Sequence, residues 1–122
     1  MTTITEARPL WFGCIEACQD CEIKCAFCSD RCIEEGGMDA CARVCRDCSE
    51  VCAISARFMA RGSSFTHQLC ELCADICDAC AVECEKHDMD HCQQSAEACR
   101  LCAQECRGML ETDSGMRAAE ES

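Results

Sequence analysis

Nineteen of the 122 residues are cysteine, and they fall into four blocks of one repeated spacing. Cys14, Cys18, Cys21, Cys25, Cys28 and Cys32 are separated by steps of 4, 3, 4, 3 and 4. Cys41, Cys45, Cys48 and Cys52 follow with steps of 4, 3 and 4. Cys70, Cys73, Cys77, Cys80 and Cys84 are spaced 3, 4, 3 and 4, and Cys92, Cys99, Cys102 and Cys106 are spaced 7, 3 and 4. Ser95 stands in the gap of the last block, where the next step of three would fall. Thiols in such number point to soft-metal chemistry: thiolate-only sites suit Cu(I), Zn(II) and iron–sulfur clusters. Catalysis would require one distinct nucleophile beside a base. None of the three histidines, His67, His87 and His91, is singled out beside one special cysteine. No phosphate loop, Ser/His/Asp set or paired-carboxylate arrangement is identifiable, so a non-enzymatic role is expected.

Alternating steps of 3 and 4 form the a/d seam of a heptad and place every thiol of a block on one helical face. A strand would need period 2. The expected fold is therefore all-α: an antiparallel four-helix bundle with a cysteine-lined core, forming a single metal-binding domain over residues 1–110. From Cys14 to Cys32 is 18 residues, roughly 27 Å of helix. Gly36-Gly37 and Gly62 are placed to close the first two helices. Ser63 or Ser64 is expected to cap the third helix and Asp88 the fourth, with Pro9 tolerated in the first turn of the first. Short connections make neighbouring helices antiparallel. Residues 111–122 are polar and acidic, and they are expected to form a flexible tail.

Composition excludes several classes of partner. A formal net charge of -12 argues against nucleic acid, which needs a basic footprint, and against anionic membrane surfaces. No run reaches the length of a membrane span. The N-terminus shows no secretory, twin-arginine or lipidation motif, which predicts a cytoplasmic protein. A reducing compartment keeps thiols as thiols. Cysteines at i+3 and i+4 on one rigid helix are also poorly oriented for disulfides. Inert packing explains one or two buried thiols, not nineteen at seam positions.

Among metals, zinc wants about four thiolates per ion. Each such site carries a charge of about -2, and stacking those charges in a narrow bundle is costly. Cu(I) is monovalent and accepts two or three thiolates. With each thiolate bridging two ions the ratio approaches one ion per cysteine, and each Cu⁺ replaces one proton. An even run of thiols 5–6 Å apart along each helix suits multiple Cu(I) ions per monomer. The bacterial ferredoxin pattern, with its trailing proline, is absent: the one proline, Pro9, precedes every cysteine. A metallothionein-like zinc or cadmium buffer and an iron–sulfur protein remain as alternatives.

Antiparallel topology gives the bundle two unlike ends. The turns after the first and third helices gather Cys32, Met38, Cys41, Cys84, His87, Met89, His91 and Cys92, a mouth rich in soft ligands. His87 follows Cys84 by three residues, in register with the third seam, so His87 and His91 are candidate ligands. The opposite end gathers Leu10, Trp11, Phe12, Phe58, Met59, Phe65, His67, Cys70, Met109 and Leu110, an apolar plug in which Met59, Met109 and His67 are weaker ligand candidates. Second stripes run beside the thiols: Ile23 and Phe27; Val44, Val51, Ile54 and Phe58; Leu69, Leu72, Ile76 and Ala79; and Leu101. These stripes suit helix packing or a subunit interface.

Four inward Cys-x-x-x-Cys-x-x-Cys seams within about 120 residues, together with His87 and His91 at one end, resemble the bacterial copper storage proteins, in particular their cytosolic branch. The resemblance covers roughly residues 10 to 110. It implies a bundle filled with Cu(I), assembled as a homotetramer, that keeps copper from off-target sites and exchanges it with a copper chaperone or chelator. The family's inward cysteines map onto the nineteen named above, and its His and Met at the open end onto the cluster near His87 and His91. Ser55 and Ser95 interrupt seams where a further cysteine could stand.

Overall fold

The computed structural model describes residues 11–121, with side chains through Glu111. Four helices follow in sequence: α1 (Trp11–Glu35), α2 (Asp39–Ala60), α3 (Thr66–Cys84) and α4 (Asp90–Glu121). Each packs on two neighbours, α1 on α2 and α4, and α3 on the same pair, so the bundle is a square with α1 opposite α3. The described residues contain no strand. Pro9 and Leu10, expected in the first turn and the plug, lie outside the described residues.

The seams explain the topology. Pairs of sulfurs run in opposite directions along α1 and α4: Cys14 to Cys106, Cys18 to Cys102, Cys25 to Cys99 and Cys28 to Cys92. The same order holds across α2 and α3, from Cys41 and Cys84 down to Cys52 and Cys73. Small residues flank the thiols on the buried faces, among them Ala17, Ala42, Ala74, Ala81, Ala96 and Ala103. They let the helix axes approach closely enough for short cysteine side chains to meet at the centre. Two serines fasten α1 to α2: Ser29 donates to the Ala42 carbonyl at 2.9 Å and Ser49 to the Glu22 carbonyl at 2.8 Å. On the outer surface Arg100 donates both arms of its guanidinium to Glu85, and Arg107 reaches Asp78 at 2.7 Å, tying α4 to α3. These exposed pairs add little individually.

The glycine stops sit where expected. Gly36, Gly37 and Gly62 have φ of 75°, 76° and 63°, a region that costs a side-chain-bearing residue strain. The N-terminal caps differ from expectation. Phe65 occupies the cap position of α3 without a side-chain hydrogen bond; Ser63 instead makes a local turn, its hydroxyl accepting from the Phe65 amide and its carbonyl accepting from the Thr66 hydroxyl. At α4 the Met89 carbonyl accepts from the Cys92 and Gln93 amides, so the helix opens one residue beyond Asp88. The helical backbone of α4 also continues past Leu110 through the acidic segment, rather than ending where the last seam ends.

The second stripes divide. Val51 is buried, and Val44, Leu69 and Ile76 pack against the core. Ile23, Phe27, Ile54, Leu72 and Leu101 face outward, Ile23 at 68% and Phe27 at 59% exposure.

Candidate metal centre

All nineteen cysteines are free thiols, and every one is buried to within 1% of complete. A metal–thiolate bond of about 2.3 Å, the zinc value, lets two sulfurs share an ion when they lie at most about 4.6 Å apart. Hydrogen-bonded sulfur pairs here lie between 3.4 Å (Cys14 to Cys106) and 4.0 Å (Cys48 to Cys52). The helical repeat supplies same-strand neighbours such as Cys21 and Cys25 at 3.7 Å, and the antiparallel packing supplies neighbours across the core such as Cys48 and Cys77 at 3.5 Å. Both sets of distances are of one size, so a thiol is as close to its neighbours across the core as to those on its own helix.

The groupings of four sulfurs make this concrete. Cys21, Cys48, Cys77 and Cys99 lie within 4.8 Å of one another, and so do Cys21, Cys52, Cys77 and Cys102. Cys48 and Cys99 recur with Cys25 and Cys80, and Cys102 recurs with Cys18, Cys73 and Cys106. Neighbouring groupings therefore share members. Tetrahedral zinc sites that each require four private thiolates cannot all be filled at once, whereas monovalent ions bridged by shared thiolates can.

Hydrogen bonding sets where charge sits before metal arrives. The Cys48 thiol is pulled well below the ordinary thiol range, first by a hydrogen bond with Cys21 and then by those with Cys25, Cys52 and Cys77. Cys102 is lowered in the same way, chiefly by Cys106 and Cys18. At Cys92 and Cys41, near the mouth, burial dominates instead. It pushes Cys92 up to about 11, against a hydrogen bond with Cys28 that lowers it. It also raises Cys41, with repulsion from Cys45 and Cys84 adding to the effect.

The structure brings His91 to sulfur and places His87 elsewhere. His91 Nδ1 lies 3.2 Å from Cys28 Sγ and 3.5 Å from Cys92 Sγ, and Cys28, Cys32, His91 and Cys92 form one four-ligand group. On its far side His91 Nε2 donates to Glu35 at 3.0 Å, and the edge of the ring meets Phe27 at a centroid distance of 6.4 Å. The Glu35 carboxylate holds the proton on Nε2 and leaves the Nδ1 lone pair facing the sulfurs, the usual outer support of a metal-binding histidine. Sequence reasoning missed Glu35, because nothing in the spacing links the last turn of α1 to the first turn of α4. His87 lies beyond the end of α3 at Cys84, so the seam that would carry it inward has stopped. Its Nε2 pairs with Glu83 at 3.2 Å, and its carbonyl accepts from Gln93. Met38 is buried at this end, and Met89 is exposed.

The opposite end is closed by Trp11, Met59 and Met109, all buried, above Cys14, Cys70 and Cys106. Thr66, also buried, continues the third seam four residues before Cys70. Phe65, expected in the plug, is 63% exposed because it sits in the cap position with its side chain outside the bundle. Phe58 carries the Arg61 guanidinium over its ring at 4.6 Å.

Two predictions follow from the mouth. Cys92 binds its proton more tightly in the folded chain than in the unfolded one, whose thiol titrates at the ordinary 9.0. That contribution to stability is complete below pH 9 and is lost as pH rises toward about 11. Anaerobic urea melts of the metal-free protein followed by circular dichroism are expected to show a midpoint that falls across this window; a flat midpoint contradicts the assignment. Replacing Glu35 by Ala is expected to weaken the first Cu(I) bound at His91 by about tenfold while leaving total capacity unchanged. Competition with a chromogenic Cu(I) chelator measures both, and unchanged affinity would show that Glu35 does not support the histidine.

Residues 9–111 match the profile of the family described as copper storage protein. The Cu(I)-bound copper storage protein BsCsp3 of Bacillus subtilis superposes with a TM-score of 0.80 at 45% identity, covering 83% of this chain and 98% of that one. A cytosolic copper storage protein from Streptomyces lividans, described with five coppers and with 10 copper equivalents, superposes at 0.81 and 34% identity; with five coppers it covers 85% of this chain and 94% of that one. A cysteine-rich protein of Bacillus subtilis, YhjQ, is 48% identical over 82 residues, which is 65% of this chain and 76% of the relative. With its thiol-filled bundle and these likenesses together, the chain belongs to the copper storage protein family.

Proposed function

We propose that this chain is a high-capacity Cu(I) store that works in the cytoplasm, fills through the His91 end and gives copper back to a chaperone or small chelator at the same end. The sharing of thiolates between adjacent four-sulfur groupings carries the reading of a continuous store. It favours many bridged monovalent ions over a few four-coordinate divalent ones. Each arriving Cu⁺ displaces one thiol proton, which leaves the loaded interior close to neutral. The one mouth whose ligands reach the surface is formed by Cys28, Cys32, His91 and Cys92, with His91 part-buried; the other end is sealed by Trp11, Met59 and Met109. His87, beside the mouth on the carboxylate of Glu83, is positioned to receive copper transiently before His91.

Homotetramer assembly is part of the same proposal. Ile23, Phe27 and Ile33 are exposed on α1, and Leu72, Val82 and Leu101 on the opposite pair of helices, leaving apolar area that a soluble acidic chain is expected to cover.

Anaerobic titration with Cu(I) is expected to reach about one ion per cysteine, near nineteen per chain. Saturation at about four divalent ions, with no preference for Cu(I), would replace storage by zinc or cadmium buffering. Sedimentation velocity of the wild type is expected to give a tetramer, and Ile23→Glu with Phe27→Glu is expected to shift it to smaller species. A wild-type monomer at micromolar concentration would remove the assembly proposal and leave storage intact.

A further inference from the structure

Ser95 is completely buried in the centre of the thiol core. Its hydroxyl touches sulfurs on three other helices: Cys25 at 3.3 Å on α1, Cys45 at 3.7 Å on α2 and Cys84, which donates to it, at 3.5 Å on α3. It stands at the seam position of α4 where a fourth thiol would meet them.

The hydrogen-bonded sulfur contacts separate at this point. Toward the mouth, Cys41, Cys45, Cys80 and Cys84 form one network. Cys28, Cys32 and Cys92 form another with His91. Below, Cys25 belongs with Cys21, Cys48 and Cys99 to a network that runs on through Cys52 and Cys102. No sulfur–sulfur contact of 4.0 Å or less joins the Cys45–Cys84 network to this inner one, and the Ser95 hydroxyl bridges them; the sulfur contacts that cross here, from Cys25 and Cys48 to Cys80, are wider, within 4.8 Å.

We propose that Ser95 divides the store into two copper pools, an outer one on the seven mouth-side cysteines and an inner one on the other twelve. The inference rests on the Cu(I)-storage reading. A hydroxyl is a hard donor and a poor ligand for Cu(I), so the chain of bridging thiolates is interrupted there. The hydroxyl hydrogen also bonds a neighbouring thiolate and draws electron density from a lone pair that a second copper would use. The grouping of Cys25, Cys48, Cys80 and Cys99 spans the boundary and is the crossing point, which makes passage between pools slower than movement within them.

The fully loaded full-length chain is mixed anaerobically with excess bathocuproine disulfonate, and release is followed by absorbance. Two phases are expected, the faster carrying about a third of the copper. Ser95→Cys, nearly equal in size, is expected to bind one more Cu(I) and to reduce the fast amplitude by at least half. Ser95→Ala still lacks a thiolate and is expected to keep both phases. Ser55→Cys adds a buried thiol on the inner side and is expected to leave the fast amplitude unchanged. Maleimide labelling of the wild type at the end of the fast phase, read by peptide mass spectrometry, is expected to mark Cys41, Cys84 and Cys92 while Cys18, Cys73 and Cys102 stay protected. Single-phase wild-type release, uniform labelling, an unchanged Ser95→Cys profile or an equal effect of Ser55→Cys would each overturn the division. Stoichiometry in the same samples tests storage itself, so the two failures are distinguishable.

Discussion

A sulfur at each inward position of an antiparallel helix square has neighbours on its own helix and on adjacent ones, all at nearly the same distance. Cys48 shows the consequence, with hydrogen-bonded sulfurs at Cys21, Cys52, Cys77 and Cys99. Equal spacing in every direction is what permits bridging, and bridging would let a narrow tube hold an ion for each thiol. The rest of the molecule serves that spacing. Alanines beside the seams bring the axes together, serines on α1 and α2 fix their offset through backbone carbonyls, and the charged surface keeps a thiol-rich chain in solution. Cysteine packs as a small hydrophobe, so the same residues that bind metal also form the core of the metal-free protein. This differs from a zinc finger, which lacks a core until its ion binds.

The seam itself was readable because helix periodicity and ligand chemistry coincide: the residue that marks the buried face is also the candidate ligand. Burial of all nineteen cysteines and the antiparallel order needed only the 3-4 spacing and short turns. Features that depend on where one chain end meets another were less readable. Ser63 and Asp88 have good capping chemistry, but the turns place Phe65 and the Met89 carbonyl at the helix starts. His87 keeps the register of the third seam in sequence and loses it in space, because the helix stops at Cys84. His91, one residue before Cys92 and off the strict seam, reaches Cys28 because the antiparallel packing of α1 and α4 brings the end of one beside the start of the other. Glu35 becomes legible only with that packing. The exposure of Ile23 and Phe27 was left open by the sequence, since an apolar stripe beside a seam serves helix packing and subunit contact equally well.

The two ends differ in what they do to a proton. Loading exchanges a metal cation for a thiol proton, so every ion that enters must release one proton from a core without water-accessible sulfurs. At the opposite end Trp11, Met59 and Met109 are buried and carry no group basic enough to take it. At the mouth, His91 faces sulfur through Nδ1 and the Glu35 carboxylate through Nε2, a path of polar atoms from the thiols to the surface. Glu83 beside His87 gives a second carboxylate at the same rim. On the proposed route copper and protons move in opposite directions through one opening, and the carboxylates there would serve both: they would orient imidazole toward the incoming cation and accept the proton that it displaces. Among the interior thiols charge is shared unevenly: Cys48 and Cys102 are pulled toward thiolate by hydrogen bonds from Cys21, Cys52 and Cys106, which hold the protons.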